Sequence, residues 1–242
     1  VRHDSIEAYD RPQRVARYDA EMEVMHPNRS RMVRIALDIL PFERTAPLVA
    51  LDLGVGTGYF SAQFLSHFPH GQVVAVDGAK AMVDLARERL KQVASRSDFR
   101  IGDLRNLDQM VDDVPEVDVV FSSYALHHLD RAEKRAVLRQ ALDLLRPGGW
   151  FVNADVIVAE SCAVESRIQA LRVAGIVERA AGRDERFRSA ASTRQFLDGL
   201  EADEGDRPLT LLEDLATLRS AGLSNPSVLW LEHREAVFGG PK

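Results

Sequence analysis

The sequence is short of cysteine. Cys162 stands alone, so no disulfide can form within the chain, and a reducing compartment suits it. No apolar run approaches the ~18–20 residues of a membrane-spanning helix. The first stretch, VRHDSIEAYDRPQRVARYD, is too polar for a secretion signal. A cytoplasmic location with no membrane partner is therefore expected. Positive charge is in deficit too: the formal net charge is -6, which disfavours broad nonspecific binding to nucleic acid. No repeat or low-complexity tract appears.

The 242 residues, 45% of them hydrophobic, can build one sizeable core with a small helical elaboration. Residues 5–40 have mostly helical apolar spacing, through Met22, Met25, Met32, Ile35, Ala36, Ile39 and Leu40, with Pro27 breaking two helices. From Leu48 short apolar runs alternate with longer amphipathic ones. LVALDL, QVVAVD, FRIGD, VDVVFSS and WFVNADVIV read as strands. YFSAQFLSHF, AKAMVDLARERLKQVA and RAEKRAVLRQALDLL read as helices, and RPGG as a turn. This alternation predicts an α/β fold, a parallel sheet with helices on both faces.

After Val158 the alternation stops. SCAVESRIQALRVAGIVERAA and STRQFLDGL read as helices, EADEGDRP as a polar loop, and TLLEDLATLRSAG as a helix with a Thr210/Glu213 capping box. SVLWLEHR and EAVFGG read as two closing strands. The expected divisions of a single domain, 1–242, are a helical cap at 1–40, a core at 41–158, a helical insert at 159–208, and a closing helix and hairpin at 209–242.

The chemistry gathers where strands end. The first strand ends at Asp52-Leu53, followed by Gly54, Gly56 and Gly58. A dinucleotide fingerprint needs a small residue at its sixth position. Counted from Gly54 that position is Tyr59, and from Gly56 it is Ser61, so neither count fits well. The second strand ends in Asp77, about 20 residues on, where a carboxylate can accept both ribose hydroxyls of an adenosine cofactor. That suits NAD and S-adenosylmethionine equally. The third ends in IGDL, where Asp103 can accept from an adenine amino group.

The ordered series LDLGVGTG, VVAVDGAKAMVDLA, FRIGDL, VDVVFSSYALHHL and LLRPGGWFV resembles the class I S-adenosylmethionine-dependent methyltransferases, over roughly residues 48–158. The resemblance implies a Rossmann-like, doubly wound, mostly parallel seven-stranded sheet with an antiparallel last strand. It also implies S-adenosyl-L-methionine as cofactor. Gly54 and Gly56 would approach its methionine moiety, with Asp52 orienting the loop and the amino group. Asp77 would bind the ribose, while Gly78 and Met82 line the adenosine pocket. Asp103 and Leu104 would hold the adenine, and Ser122 and Ser123 would floor the site beside the sulfonium. Tyr18, in ARYD, resembles the cap that closes over the cofactor in small-molecule members.

Methyl transfer from a sulfonium needs alignment and exclusion of water, and a general base only where the acceptor must lose a proton. His127 is the candidate base, with His128 beside it. No metal site is expected, because adjacent histidines rarely face one ion and no carboxylate partner is visible. The Asn/Asp-Pro-Pro-Tyr/Phe run of members that methylate base or glutamine amino groups is absent, replaced by Ser-Ser-Tyr-Ala. Cys162 lacks the Pro-Cys context of 5-methylcytosine enzymes and reads as a packed residue. A small-molecule acceptor follows, with a homodimer open.

The order of segments is also similar to the carboxy-S-adenosylmethionine synthase branch. Arg29 falls where that branch has tyrosine, and Arg194 near its carboxylate-binding arginine. RNA methylation, a nicotinamide-dependent oxidoreductase and a noncatalytic cofactor-binding partner remain as other readings.

Overall fold

The computed structural model describes residues 5–242. The first four positions of the expected cap lie outside the described residues. Four short helices come first: α1 (Ser5–Tyr9), α2 (Pro12–Val15), α3 (Tyr18–Met25) and α4 (Arg29–Asp38). There follow β1 (Val49–Leu53), α5 (Tyr59–His67), β2 (Gln72–Asp77), α6 (Lys80–Arg89), β3 (Ser97–Ile101), α7 (Leu107–Met110), β4 (Val117–Ser123), α8 (Arg131–Leu144) and β5 (Leu145–Val156). Then come α9 (Cys162–Ala180), α10 (Ala190–Glu204), α11 (Leu211–Ala221), β6 (Ser227–Glu232) and β7 (Glu235–Pro241).

The seven strands form one sheet in the order β3-β2-β1-β4-β5-β7-β6. β1 pairs in parallel with both β2 and β4, whereas β7 runs antiparallel between β5 and β6. The central strands are buried along nearly their whole length. Both faces are covered, which is why the sequence shows continuous apolar runs there instead of alternation. One face packs under α4, α5 and α6 through Met32, Phe60, Phe64 and Val83. The other packs under α7, α8 and α11 through Leu107, Leu138, Leu142 and Leu218. A third, small cluster joins Met25 of α3 to Val173, Ile176 and Leu197 of α9 and α10. That cluster ties the N-terminal helices to the segment inserted after β5.

Local chemistry sets the helix starts. Asp130 accepts from the amides of Ala132 and Glu133 while Glu133 accepts from the Asp130 amide, a reciprocal cap for α8. Thr210 and Glu213 cap α11 in the same way.

Several boundaries differ from the sequence reading. Helix α6 stops at Arg89, and a 3-10 turn follows at Lys91–Arg96. RPGG is drawn into the start of β5, with a register shift between Val117 and Val119 where it joins β4. Glu201–Glu204, read as loop, complete α10, which ends at a left-handed Gly205. Acidic residues in a last helical turn oppose the helix dipole, but Arg14 of α2 neutralises Glu204 with bonds of 2.9 and 2.7 Å. Cys162 is exposed at the start of α9, not packed.

Candidate functional site

The strand order reverses between β1 and β4, and ligands of such sheets settle outside the carboxyl ends at that point. A cleft opens there. Its floor is the loop after β1. Gly54 has φ +81°, and a Cβ on it would stand 2.3 Å from the Cβ of Ala125, so the loop lies flush against the chain leaving β4. A Cβ at Gly56 would meet nothing within 4 Å, which leaves its backbone open to a ligand.

Two acids flank this loop. Asp52 lies beneath it, 1% exposed, and accepts a 2.5 Å hydrogen bond from Ser61 Oγ. Burial pushes its pKa up to about 7, more than the Ser61 bond lowers it. Asp77, at the end of β2, accepts from the amides of Gly56 at 2.8 Å and Ala79 at 2.9 Å. Burial raises its pKa as well, against the pull of those amides.

The same cleft is lined by Tyr18, Gly78, Met82, Asp103, Leu104 and Ser123. Ile6 of α1 presses on Gly78, where a Cβ would come within 2.5 Å of it. Asp103 both caps a turn, accepting from the Arg105 amide at 2.9 Å, and pairs with the Arg105 guanidinium at 2.5 Å. Burial would raise its carboxyl, but the Arg105 bonds prevail and hold it below the usual range.

Two expected site residues are placed elsewhere. Ser122 is fully buried, and its hydroxyl donates to the carbonyl of Leu53 at 2.7 Å, stitching β4 to β1. Consecutive strand residues face opposite ways, so Ser123 reaches the cleft and Ser122 does not. His127 is only 6% exposed and lines an inner cavity behind the cleft, while His128 lines the cleft itself. His127 Nδ1 meets Asp155 Oδ1 at 2.6 Å, and Nε2 lies 3.6 Å from Asp206 Oδ1. Burial lowers its pKa, but these two carboxylates outweigh that and raise it to about 10. An imidazole held protonated between two acids is not poised as the base expected from sequence. The carboxylate partner that the histidine pair lacked in sequence is also present: Asp206 comes to both rings from the loop after α10.

Arg29 went unassigned to the cleft in the sequence reading. It lines the cleft, pairs with Asp19 at 2.7 Å and stacks 4.2 Å above the Tyr59 ring. Asp19 also accepts from Thr57 Oγ1 at 3.0 Å, which places Arg29 beside the glycine loop. Its signal in sequence was a lone arginine before the core. Arg194 lies on the outer face of α10, paired with Asp198 and with Gln169 at 3.0 Å, and lines none of these cavities.

The inner cavity is narrow, with about 30 Å³ of water-accessible space. Tyr9, Tyr18, Tyr124 and Glu204 line it and the cleft alike. Tyr124 takes φ +50° at the end of β4, and its hydroxyl donates to Glu235 at 2.7 Å.

These residues suit an adenosine cofactor with an amino-acid end. A carboxylate stands at the strand end that ribose hydroxyls require, Met82 and Leu104 offer apolar walls, and an open glycine cradle adjoins an acid and an arginine. A pyrophosphate in the same cradle would face the buried Asp52 and the half-buried Asp77.

A family described as a methyltransferase domain matches residues 50–149. An uncharacterised methyltransferase of Geobacillus kaustophilus is 30% identical over 169 residues, covering 70% of this chain and 71% of the relative. Among solved structures, an O-methyltransferase family protein from Burkholderia thailandensis superposes with TM-score 0.68 at 18% identity, over 100% of this chain and 64% of that one. PigF, solved with SAH, superposes with TM-score 0.65 at 19% identity, over 99% and 62%. This chain thus spans a little under two thirds of those solved chains, and at such identities they show a shared fold. Among the described residues, no helix is long and apolar enough to cross a membrane.

Proposed function

Because the chain belongs to the class I S-adenosylmethionine-dependent methyltransferases, we propose that it methylates a small-molecule acceptor by in-line displacement. Bound S-adenosylmethionine supplies a methyl group already activated by the sulfonium charge. The chain's own residues hold, orient and dry the reactants.

Asp77 takes the ribose hydroxyls, and Gly78, Met82, Asp103 and Leu104 frame the adenine. Gly54 and Gly56 admit the methionine backbone, with Asp52 toward its ammonium and Arg29 toward its carboxylate. Tyr18 and Ser123 complete the wall, and Tyr18 and Tyr9 help close the site from the cap. The observation that carries the small-molecule reading is the wall shared by the cleft and the inner cavity: Tyr9, Tyr18, Tyr124 and Glu204 line both. An acceptor seated in the cleft against that wall would meet aromatic edges and lie under the helical roof. Arg14 braces that roof through Glu204.

Calorimetry with S-adenosylhomocysteine, beside NAD as a control, tests the cofactor. Release of S-adenosylhomocysteine across a panel of aromatic and amphipathic acceptors tests the reaction. Stabilisation by NAD and none by S-adenosylhomocysteine would sink this reading.

A further inference from the structure

We propose that His127, His128 and Asp206 form a binding site for one divalent transition-metal cation, set in the wall between the cleft and the inner cavity. One donor atom from each of the three residues lies within 4.8 Å of the other two. His128 Nδ1 is 3.1 Å and His127 Nε2 3.6 Å from Asp206 Oδ1. Two donors bound about 2.1 Å from one cation stand roughly 3.0–3.4 Å apart in octahedral or tetrahedral geometry. The two separations from Asp206 therefore need only small adjustment, and the imidazole donors, within 4.8 Å of each other, draw together on binding.

A second, independent observation points to a ligand. Asp206 Oδ1 and both ring nitrogens of His128 are buried without a hydrogen-bond partner. The 3.1 Å approach of His128 to Asp206 lacks hydrogen-bond alignment. Bare buried polar atoms are costly, and the facing pair of His128 Nδ1 and Asp206 Oδ1 calls for an occupant between them. The cofactor would not serve them all, since Asp206 lines the inner cavity and not the cleft.

The surroundings are those of a ligand set held ready. Asp155 engages His127 Nδ1 at 2.6 Å, which leaves Nε2 for the cation. A carboxylate behind a ligating imidazole orients the ring and raises its basicity. Asp155 is itself fixed by the Val156 amide at 2.9 Å. The loop carrying Asp206 is tied down by the Arg207 amide, which donates to the carbonyl of His127 at 2.7 Å. The cation takes the place of the proton on His127 Nε2, and that proton leaves to solvent.

Two imidazoles and one carboxylate select zinc, iron(II) or cobalt(II) over magnesium and calcium, which take oxygen ligands. Three protein ligands leave positions open for water or for an oxygen of the acceptor. The site does not depend on the methyltransferase reading.

Cobalt chloride is the probe, titrated into the chelator-stripped, untagged full chain and read by visible d–d absorption. The expected result is saturation at one cobalt per chain, retained when S-adenosylhomocysteine is added. Cobalt affinity falls at least ~10-fold in His128→Ala and Asp206→Asn, and ~10–100-fold in Asp155→Asn. Asp84→Asn, an exposed carboxylate on α6, leaves it unchanged. Circular dichroism and S-adenosylhomocysteine calorimetry verify that each variant is folded. Should the variants not fold, paramagnetic broadening in the wild type reads the site: the imidazole protons of His127 and His128 broaden while those of His67 and His70 do not. A wild-type chain that binds S-adenosylhomocysteine yet shows no saturable cobalt signal overturns the site. So does a folded Asp206→Asn with unchanged uptake, or cobalt displaced by S-adenosylhomocysteine. Cobalt binding without S-adenosylhomocysteine binding would count instead against the cofactor reading and leave the metal site standing.

Discussion

The carboxylate of Asp77 accepts a 2.8 Å hydrogen bond from the amide of Gly56, joining the end of β2 to the glycine loop after β1. The acid assigned to the ribose thus also sets the shape of the cradle for the amino-acid end. Replacing it removes both at once. Asp77→Ala is expected to lower S-adenosylhomocysteine affinity at least ~100-fold, since two hydrogen bonds to a charged acceptor are worth about 1.5–3 kcal/mol each. Asp77→Asn, which keeps one acceptor oxygen, should lose about tenfold. Calorimetry checks both, and an Asp77→Ala affinity within about threefold of wild type would refute the ribose assignment.

Asp52 gives a pH prediction. Its folded pKa of about 7 lies above the ordinary carboxylate value of 3.8, because it is buried. Between those two values the folded chain keeps a proton that the unfolded chain has released. Stability of the free protein therefore falls as pH rises through that window, by at most about 1.4 kcal/mol per unit from this group. A ligand ammonium beside Asp52 favours the ionised form, so S-adenosylhomocysteine affinity should rise with pH over the same window and level off above it. In Asp52→Asn both slopes should shrink. Urea midpoints and calorimetry between about pH 5 and 8 measure them, and slopes identical to wild type would remove Asp52 from the ligand's surroundings.

Gly54 and Gly58 separate packing from binding. Gly54→Ala places a Cβ 2.3 Å from that of Ala125 in a left-handed backbone. Gly58→Ala places one 3.0 Å from Ala86, where α5 meets α6. Each should cost about 2–4 kcal/mol from strain plus overpacking. Gly54→Ala should also weaken S-adenosylhomocysteine binding, and Ala125→Gly should restore part of that loss by clearing the clash. Gly58→Ala should act mainly on the melting temperature. No rescue by Ala125→Gly would show that the two residues are not in contact.

The sheet and the acids of its rim could be read from sequence because both rest on local pattern. Continuous apolar runs mark strands covered on both faces, and an acid or glycine at each strand end is adjacent to the run that positions it. The capping box at Thr210 was legible for the same reason. What could not be read depends on facing and on distance along the chain. Ser122 and Ser123 are alternatives on opposite faces of β4, and period two allows only one into the cleft. His127 and His128 lie on one 3-10 turn, and their division between cavity and cleft is decided by Asp155 and Asp206, far along the chain. Glu204 looked like loop because its helix turn is stabilised by Arg14, which is 190 residues away. Arg29 reaches the glycine loop only through Asp19 and Thr57.

Lys134 of α8 and Asp214 of α11 form a buried pair at 2.7 Å, with side chains 2% and 3% exposed. Burial raises the Asp214 pKa despite the neighbouring ammonium. Desolvation thus offsets much of the attraction. Lys134→Met alone should cost about 3–5 kcal/mol by leaving a buried carboxylate unpaired, and Asp214→Leu a similar amount. The double variant should recover most of the loss. Urea denaturation of the four proteins gives the cycle. A double variant as unstable as the sum of the singles would mean that the two side chains do not interact.

Arg29 supplies the sharpest separation between cofactor parts. It lines the cleft beside the glycine loop, clamped by Asp19 and stacked on Tyr59. A planar guanidinium in that position is suited to a carboxylate. Arg29→Ala should therefore weaken S-adenosylhomocysteine by about 10–100-fold, the loss of one charge-assisted contact. It should barely change the affinity of 5′-methylthioadenosine, which has the adenosine but not the amino-acid end. Arg29→Lys should recover only part, because an ammonium cannot make the bidentate contact or the stack. Equal losses for both ligands would assign Arg29 to the architecture of the cap, acting through Tyr18 and Tyr59. Loss for S-adenosylhomocysteine alone would place the carboxylate at Arg29 and orient the sulfonium toward the wall that the cleft shares with the inner cavity.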